Sequence, residues 1–507
     1  LQDIALEQMA AMKKFHELDI PHSGFYAEGA GATFYGEYKK EELYKVVSFG
    51  ERHGFKVFSW QFPNMTQELA QELLPECPKE ELPITRNKND EEEKLPVYID
   101  FSHPRAKELL AAQWKDRLDA GIRGSMVDFG DVVPDEAVFY DGRRGDEMHN
   151  AYAYQYAKNY RELFEQKYGD DHVLYTRGAA PGSQHFACQF GGDQLTSFQG
   201  LKYAIAGGLS AAASGLPFWG VDAGGYDGFP DQETYLRWTE YAAFCPLMRF
   251  HGTEPREPWE YDAFTVKVYR YYTWLRENLR PYIVSVAAEA HKLGIPMMRP
   301  LAMIYPEDQE ATKVWDEYLF GENLLVAPVS DETEEREIYF PKGRWISLWN
   351  LNDEISGPVQ RSVEVPIDKI PVYVREGSFL PLRLNESLKL GESMSESETE
   401  MILAVVPQND SIVKETLYER SGAKTCCGME KNGETIQLQI SGRTAELYVM
   451  LAGIHWKNTE AIVNGRTLTK VTAREGLYFT EGYLELEEGI LVKINPSAES
   501  VIKIQKK

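Results

Sequence analysis

Short apolar runs alternate with longer amphipathic stretches over the amino-terminal three-fifths of the chain. Phe55-Lys56-Val57-Phe58-Ser59-Trp60, Val97-Tyr98-Ile99-Asp100-Phe101 and Ile122-Arg123-Gly124-Ser125-Met126-Val127 are too short for helices and rich in β-branched and aromatic residues, which predicts strands. Helices are predicted over residues 41–53, 104–120, 147–169 and 235–244, and over 263–293 with an interruption at Pro281. Residues 1–16 predict a further amphipathic helix with Ile4, Ala5, Met9, Met12 and Phe15 on its apolar face. Residues 67–94 form an acidic insertion that reads as a surface excursion, and 296–300 reads as the last strand of the series. Strand followed by helix, repeated, predicts an α/β fold built on a parallel sheet or barrel.

After Pro306 the texture changes to short apolar runs cut by Gly, Pro and Asn, at 323–328, 336–340, 343–349 and 371–374. It recurs at 402–406, 436–440, 445–451 and 491–494. Both series predict antiparallel β-sandwiches. The division expected is a barrel over 1–315, a proximal sandwich over 316–394 and a distal one over 395–507. The Ser- and Glu-rich stretch 385–400 reads as a linker.

Composition narrows the partners. A chain of 507 residues exceeds one hydrophobic core, so several domains are expected. With 54 Lys and Arg against 79 Asp and Glu, the net charge of -25 argues against nucleic acid and anionic membranes. No apolar run reaches the length of a membrane span. The five cysteines, Cys77, Cys188, Cys245, Cys426 and Cys427, show no metal-ligand spacing, and the adjacent pair does not suit an ordinary structural disulfide. Reduced thiols and a cytoplasmic location are the expectation. Oligomerisation, including a homo-oligomer, stays open.

Two aspartates stand where an extended run gives way to glycine: Asp128, in Gly124-Ser125-Met126-Val127-Asp128-Phe129-Gly130-Asp131, and Asp193, in Phe190-Gly191-Gly192-Asp193. Glycosidic cleavage needs one carboxyl to protonate the departing oxygen and another to meet the charge that builds on the anomeric carbon. In an eight-stranded α/β barrel such groups stand at the carboxyl ends of strands. Either aspartate alone equally suits a helix cap or a turn.

The flanking residues distinguish these readings. Asp128-Phe129-Gly130-Asp131, Met148-His149-Asn150, Arg177, Gly182-Ser183-Gln184, Gly191-Gly192-Asp193, the run from Trp219-Gly220-Val221-Asp222 to Ala223-Gly224-Gly225-Tyr226, Arg249-Phe250-His251-Gly252, and Pro258-Trp259 occur in one order. This set resembles glycoside hydrolase family 31 from about residue 20 to 385, taking in Met298-Arg299-Pro300-Leu301 and Leu324-Leu325-Val326-Ala327-Pro328-Val329. The resemblance implies a (β/α)8 TIM barrel followed by two C-terminal β-sandwich domains. Relatives carry an amino-terminal β-sandwich and a first barrel strand before this point; neither is seen here, so a longer natural chain is expected.

By the same resemblance Asp128 is the nucleophile and Asp193 the general acid and base of a retaining enzyme, whose carboxyls stand about 5 to 5.5 Å apart. Asp131 is the rival nucleophile, and Asp128 is preferred because it abuts the apolar run. Burial beside Phe190 and the charge of Asp128 are expected to raise the proton affinity of Asp193. Arg177 and His251 fall at hydrogen-bond donors to ring hydroxyls, and Asp222 at the floor of the site. Trp60, Phe190 and Tyr226 are candidates to line the sugar's apolar faces. Glu28 stands where many relatives carry an aspartate that reads outer hydroxyls. Met126 stands where α-xylosidases of this type carry lysine, a position that sulfoquinovosidases fill with methionine. Residues 34–40 lack the Arg and Trp that sulfoquinovosidases use for the sulfonate. The implied activity is exo-acting hydrolysis of an α-glucoside or α-galactoside, the partner a small α-glycoside or oligosaccharide, with no cofactor and no metal. An α-xylosidase, a sulfoquinovosidase, a transglycosylase and an inactive carbohydrate-binding homologue remain alternatives. A metal-dependent hydrolase built on Asp128, Asp131, Asp193, Asp222 and His251 lacks a histidine pair at ligand spacing.

Overall fold

The computed structural model describes residues 2–27, 40–86, 97–443 and 445–507. The chain divides into two compact units, Leu1–Gly192 and Asp193–Lys507.

In the first unit the strands Gly24–Tyr26, Lys56–Gln61, Gly124–Val127, Val173–Thr176 and Cys188–Phe190 pair in that order, each parallel to the next. The helices Gln2–Glu17, Lys40–Arg52, Ala106–Ala120 and Gly145–Tyr168 connect or flank them. Gly121, at φ 100°, ends the third of these helices in the left-handed conformation that glycine adopts without strain. Gly145–Tyr168 carries Tyr152, Tyr156, Tyr160 and Phe164 at four-residue spacing, so all four fall on one face and are fully buried. The three tyrosine hydroxyls are satisfied inside the core: Tyr152 donates to Ile99 O at 3.0 Å and Tyr156 to Gln61 O at 3.2 Å, while Trp114 Nε1 donates to Tyr160 at 3.1 Å.

The expected strand at 97–101 is shorter and belongs elsewhere. Val97–Tyr98 pairs antiparallel with Asn64–Met65 in a separate two-stranded ribbon. Beyond it the Asp100 carboxylate accepts from Ser102 N at 2.9 Å, Ser102 Oγ at 2.6 Å and Tyr140 N at 2.6 Å, which turns the chain out of extension. Part of the acidic insertion is a helix, Gln67–Leu73, capped by Thr66; residues 87–94 lie outside the described residues.

In the second unit Trp219–Asp222 and Leu247–Arg249 pair in parallel. The helices are Phe198–Ala213, Gln232–Ala243, Ala263–Asn278 and Arg280–Leu293, the last pair meeting at the junction expected beside Pro281. Phe198–Ala213 is absent from the predicted helices; Gly200, Gly207 and Gly208 weaken its intrinsic helical signal. Gly208 is a packing requirement: a Cβ there would stand 2.6 Å from Trp219 Nε1. Ser197 caps the helix through Gly200 N.

Met298–Pro300 is likewise corrected. It pairs antiparallel with Tyr318–Phe320, at the edge of a six-stranded sheet that continues through Leu324–Val326, Val372–Arg375, Glu335–Ser347 and Glu354–Glu364. The distal β domain has two sheets, of five and six strands, whose facing apolar side chains, among them Ile402, Leu438, Val449, Val492 and Ile502, form one core. Phe379–Leu384 is hydrogen-bonded to Thr399–Val405 in the five-stranded sheet. The intervening polar stretch is tied down: Asn278 donates to Arg383 O at 3.0 Å and accepts from Gly391 N at 2.7 Å.

Candidate active site

Asp128 follows directly on the buried strand Gly124–Val127, at its carboxyl end, and is 4 % exposed. Its backbone N–H donates to Gln61 O at 2.7 Å, extending the parallel pairing by one residue, and this fixes where the side chain departs. Each carboxylate oxygen has a donor. Trp60 Nε1 donates to Oδ2 at 3.0 Å and the Phe129 N–H to Oδ1 at 2.9 Å. Arg177 Nε stands 3.4 Å from Oδ1 and 3.6 Å from Asp131 Oδ1. Hydrogen bonds and a cation at this distance favour the ionised form, which a nucleophile requires.

Trp60 is placed by register, opposite Met126 across the strand pair, and Met126 opposite Tyr175. Phe129 holds φ at 57°, a left-handed conformation that costs a non-glycine residue about 1–2 kcal/mol. Its surroundings retain it there: the Arg177 guanidinium lies 4.2 Å over its ring, and the rings of Trp60 and Phe62 approach edge-on at 6.2 and 6.4 Å. Backbone strain next to a buried carboxylate marks a site that the fold over-determines. Arg177 therefore bears on the carboxylates Asp128 and Asp131, and Asp131, with a 39 % exposed side chain, is the outer of the two. Met126 and Phe190 are buried, Phe190 edge-on to Tyr175 at 6.1 Å.

The second unit carries the other candidates. Asp222 closes the strand Trp219–Asp222, is fully buried and forms an ion pair with Arg249, its partner in the strand register. His251 lies two residues on, its ring 5.5 Å from that of Tyr226. Burial, reinforced by the positive charges of Arg249 and Arg256, pushes the His251 imidazole down to about 3, so it is neutral at neutral pH. Asp193 is exposed, and this corrects the expectation of burial for its side chain. The loop behind it is anchored: Tyr226 N donates to Gln194 O at 2.8 Å, Leu195 bridges to Asp227, and Thr196 Oγ1 donates to Asp227 O at 2.6 Å. Glu28 lies outside the described residues.

Arg249 and Arg256 were not among the candidate side chains. Arg256, 6 % exposed, clasps the loop that carries Tyr226 by donating to Gly225 O at 2.9 Å, Tyr226 O at 3.1 Å and Gly228 O at 2.6 Å, and to Glu254 O at 2.9 Å within its own turn. The sequence signal for it was indirect. Two glycines leave it room: a Cβ would lie 3.3 Å from Arg256 Cδ at Gly224, which holds φ at 90°, and 2.5 Å from the Arg256 guanidinium at Gly252. Among the described residues no group of three or more His, Cys, Asp or Glu side chains is arranged to hold a metal ion, and no helix is long and apolar enough to cross a membrane.

An isomaltosyltransferase of Sporosarcina globispora is 32% identical over 430 residues, 80% of this chain and 39% of that protein. An α-xylosidase of Saccharolobus solfataricus is 34% identical over 296 residues, 57% of this chain and 39% of that protein. This chain thus spans about two-fifths of the length of these curated relatives. The cycloalternan-forming enzyme of Listeria monocytogenes, solved with a pentasaccharide substrate, shares the fold with a TM-score of 0.87 at 22% identity, over 99% of this chain and 53% of that one. The glycosyl hydrolase family 31 TIM-barrel domain matches residues 6–286 and the family 31 C-terminal domain residues 294–380. The first of these matches alone takes in more than half of the sequence, and the chain belongs to glycosyl hydrolase family 31.

Proposed function

We propose that this chain is a retaining, exo-acting α-glycosidase working by double displacement on an α-glucoside or α-galactoside. Asp128 attacks the anomeric carbon while Asp193 gives its proton to the departing oxygen, so the bond to Asp128 forms as the glycosidic bond breaks. Asp193, now a carboxylate, takes a proton from water, whose oxygen displaces Asp128 and releases the sugar with its configuration retained.

The observation that carries this reading is the setting of Asp128: buried, at a strand's carboxyl end, with a neutral donor on each oxygen and Arg177 beside it. A carboxylate held so rigidly loses little freedom on attack. The α-xylosidase and the isomaltosyltransferase among the relatives support chemistry on α-linked sugars. Because the transferase matches over 80% of this chain, passage of the glycosyl group to a sugar hydroxyl instead of water is the second reading. Glu28 and Met126 are the positions proposed to select among glucosides, galactosides, xylosides and sulfoquinovosides.

The test is a panel of aryl α-glycosides on wild type and Asp128→Ala. Turnover of the preferred glycoside is expected to fall at least about a thousandfold in the variant. Azide should then restore release of the aryl group and yield the β-glycosyl azide, since the small anion occupies the place of the missing carboxylate. Undiminished turnover, or an azide product of α configuration, sinks the assignment.

A further inference from the structure

We propose that the exposed ring of Phe229 is the platform for the sugar on the leaving-group side of the scissile bond, making Phe229 a determinant of selectivity for α-linked oligosaccharides. This rests on Asp193 being the proton donor. A donor faces the departing oxygen, so the chain bonded to its loop borders the departing group. That chain is the segment 225–229: Tyr226 N reaches Gln194 O, and Asp227, two residues before Phe229, is bridged to Leu195, two residues after Asp193.

Phe229 is 49 % exposed. A single exposed aromatic is ordinary on a protein surface; the backing of this one is not. Its ring stacks on Tyr261 at 4.9 Å and 23°, and Tyr261 stacks on the fully buried Tyr235 at 4.7 Å and 27°. The Tyr261 hydroxyl donates to Pro230 O at 2.8 Å and the Tyr235 hydroxyl to Arg256 O at 2.8 Å, so the ladder is bonded to the same loop that the Arg256 guanidinium clasps. The exposed end of a rigid aromatic stack is thereby carried two residues beyond the point where Asp227 is bridged to the Asp193 loop. A pyranose presents a flat patch of C–H groups that covers an aromatic face, and its rim of hydroxyls suits the exposed carboxylates Asp227 and Asp231 nearby in the chain. The same two charges disfavour an anionic leaving group.

The experiment compares kcat/KM for an α-linked oligosaccharide with that for the α-glycosyl fluoride of the same sugar, in wild type, Phe229→Ala and Phe229→Trp. Fluoride leaves without a sugar ring and without a proton donor. In Phe229→Ala the oligosaccharide-to-fluoride ratio should fall about fivefold, the loss of one stacking contact, and Phe229→Trp should restore it to within about twofold. A ratio unchanged in Phe229→Ala, or a loss shared equally by the two substrates, overturns the platform. Asp193→Ala separates this from the reading beneath it: an oligosaccharide-to-fluoride ratio unaltered by that change removes Asp193 as donor, and the platform with it, as does a wild type that turns over no glycoside.

Discussion

Asp128 and His251 use opposite electrostatics. The carboxylate is buried among donors that favour its charge, while the imidazole is buried beside Arg249 and Arg256, which oppose a further positive charge. His251 is therefore a neutral ring, with one nitrogen that donates a hydrogen bond and one that accepts. The pH dependence follows in sign. An unfolded histidine titrates near 6.5 and the folded one near 3, so between these values the unfolded chain binds more protons and falling pH favours unfolding. In His251→Asn, the decline of unfolding free energy from about pH 6.5 to 4 should be shallower by up to one proton's linkage slope, as measured by urea denaturation. Equal slopes in the two proteins count against a buried neutral His251.

At the scale of elements, what matters is how strand ends hand over to loops. Gly124–Val127 delivers Asp128 because the parallel pairing runs one residue past it through Gln61 O. In the second unit the loops after Asp193, Asp222 and His251 are stitched by Arg256 and by tight glycine approaches. Gly225→Ala tests the stitching. Its Cβ would meet Thr196 Cα at 2.6 Å and the Leu195 carbonyl at 2.7 Å, and neither backbone atom can yield without moving the Asp193 loop. Turnover of glycosides with poor leaving groups should fall at least about tenfold, and the glycosyl fluoride should suffer less, since it needs no protonation. Equal losses would mean that the substitution acts through the general fold.

On the scale of the molecule, the second unit joins its barrel helices to its β domain through buried charge. Gln232–Ala243 is buried from Thr234 to Ala243, and Arg237 on it donates to Glu240 at 3.1 Å, to Val365 O at 2.8 Å and to Pro366 O at 3.0 Å. Tyr272, from the neighbouring helix, donates to Asp368 O at 3.0 Å and accepts from Ile370 N at 3.1 Å. Burial pushes the Glu240 carboxyl up to about 8 against the pull of Arg237. Removing the arginine strands both the acid and the loop carbonyls, whereas neutralising the acid leaves Arg237 bonded to the carbonyls. Arg237→Ala should cost about 3 kcal/mol or more in chemical denaturation and Glu240→Gln far less; comparable costs would refute the joint.

Much of this was legible along the chain because it is local. Apolar spacing marked the helices Ala106–Ala120 and Gly145–Tyr168 to within a few residues, and an ordered set of short motifs identified the family and drew attention to Asp128, Arg177, Asp222 and His251. Periodicity and motif order are properties of neighbours in sequence, so they survive without coordinates. Contacts between distant residues decided the rest. The need for glycine at 208 is visible only once Trp219 is packed where a side chain would stand, and Met298–Pro300 reads as a barrel strand until Tyr318–Phe320 claims its backbone. The Trp60 hydrogen bond to Asp128 spans 68 positions, and the Arg256 clasp closes on carbonyls about thirty residues away. Backbone carbonyls carry no signature in the sequence, and an arginine's partners exist only once folding has brought them within reach.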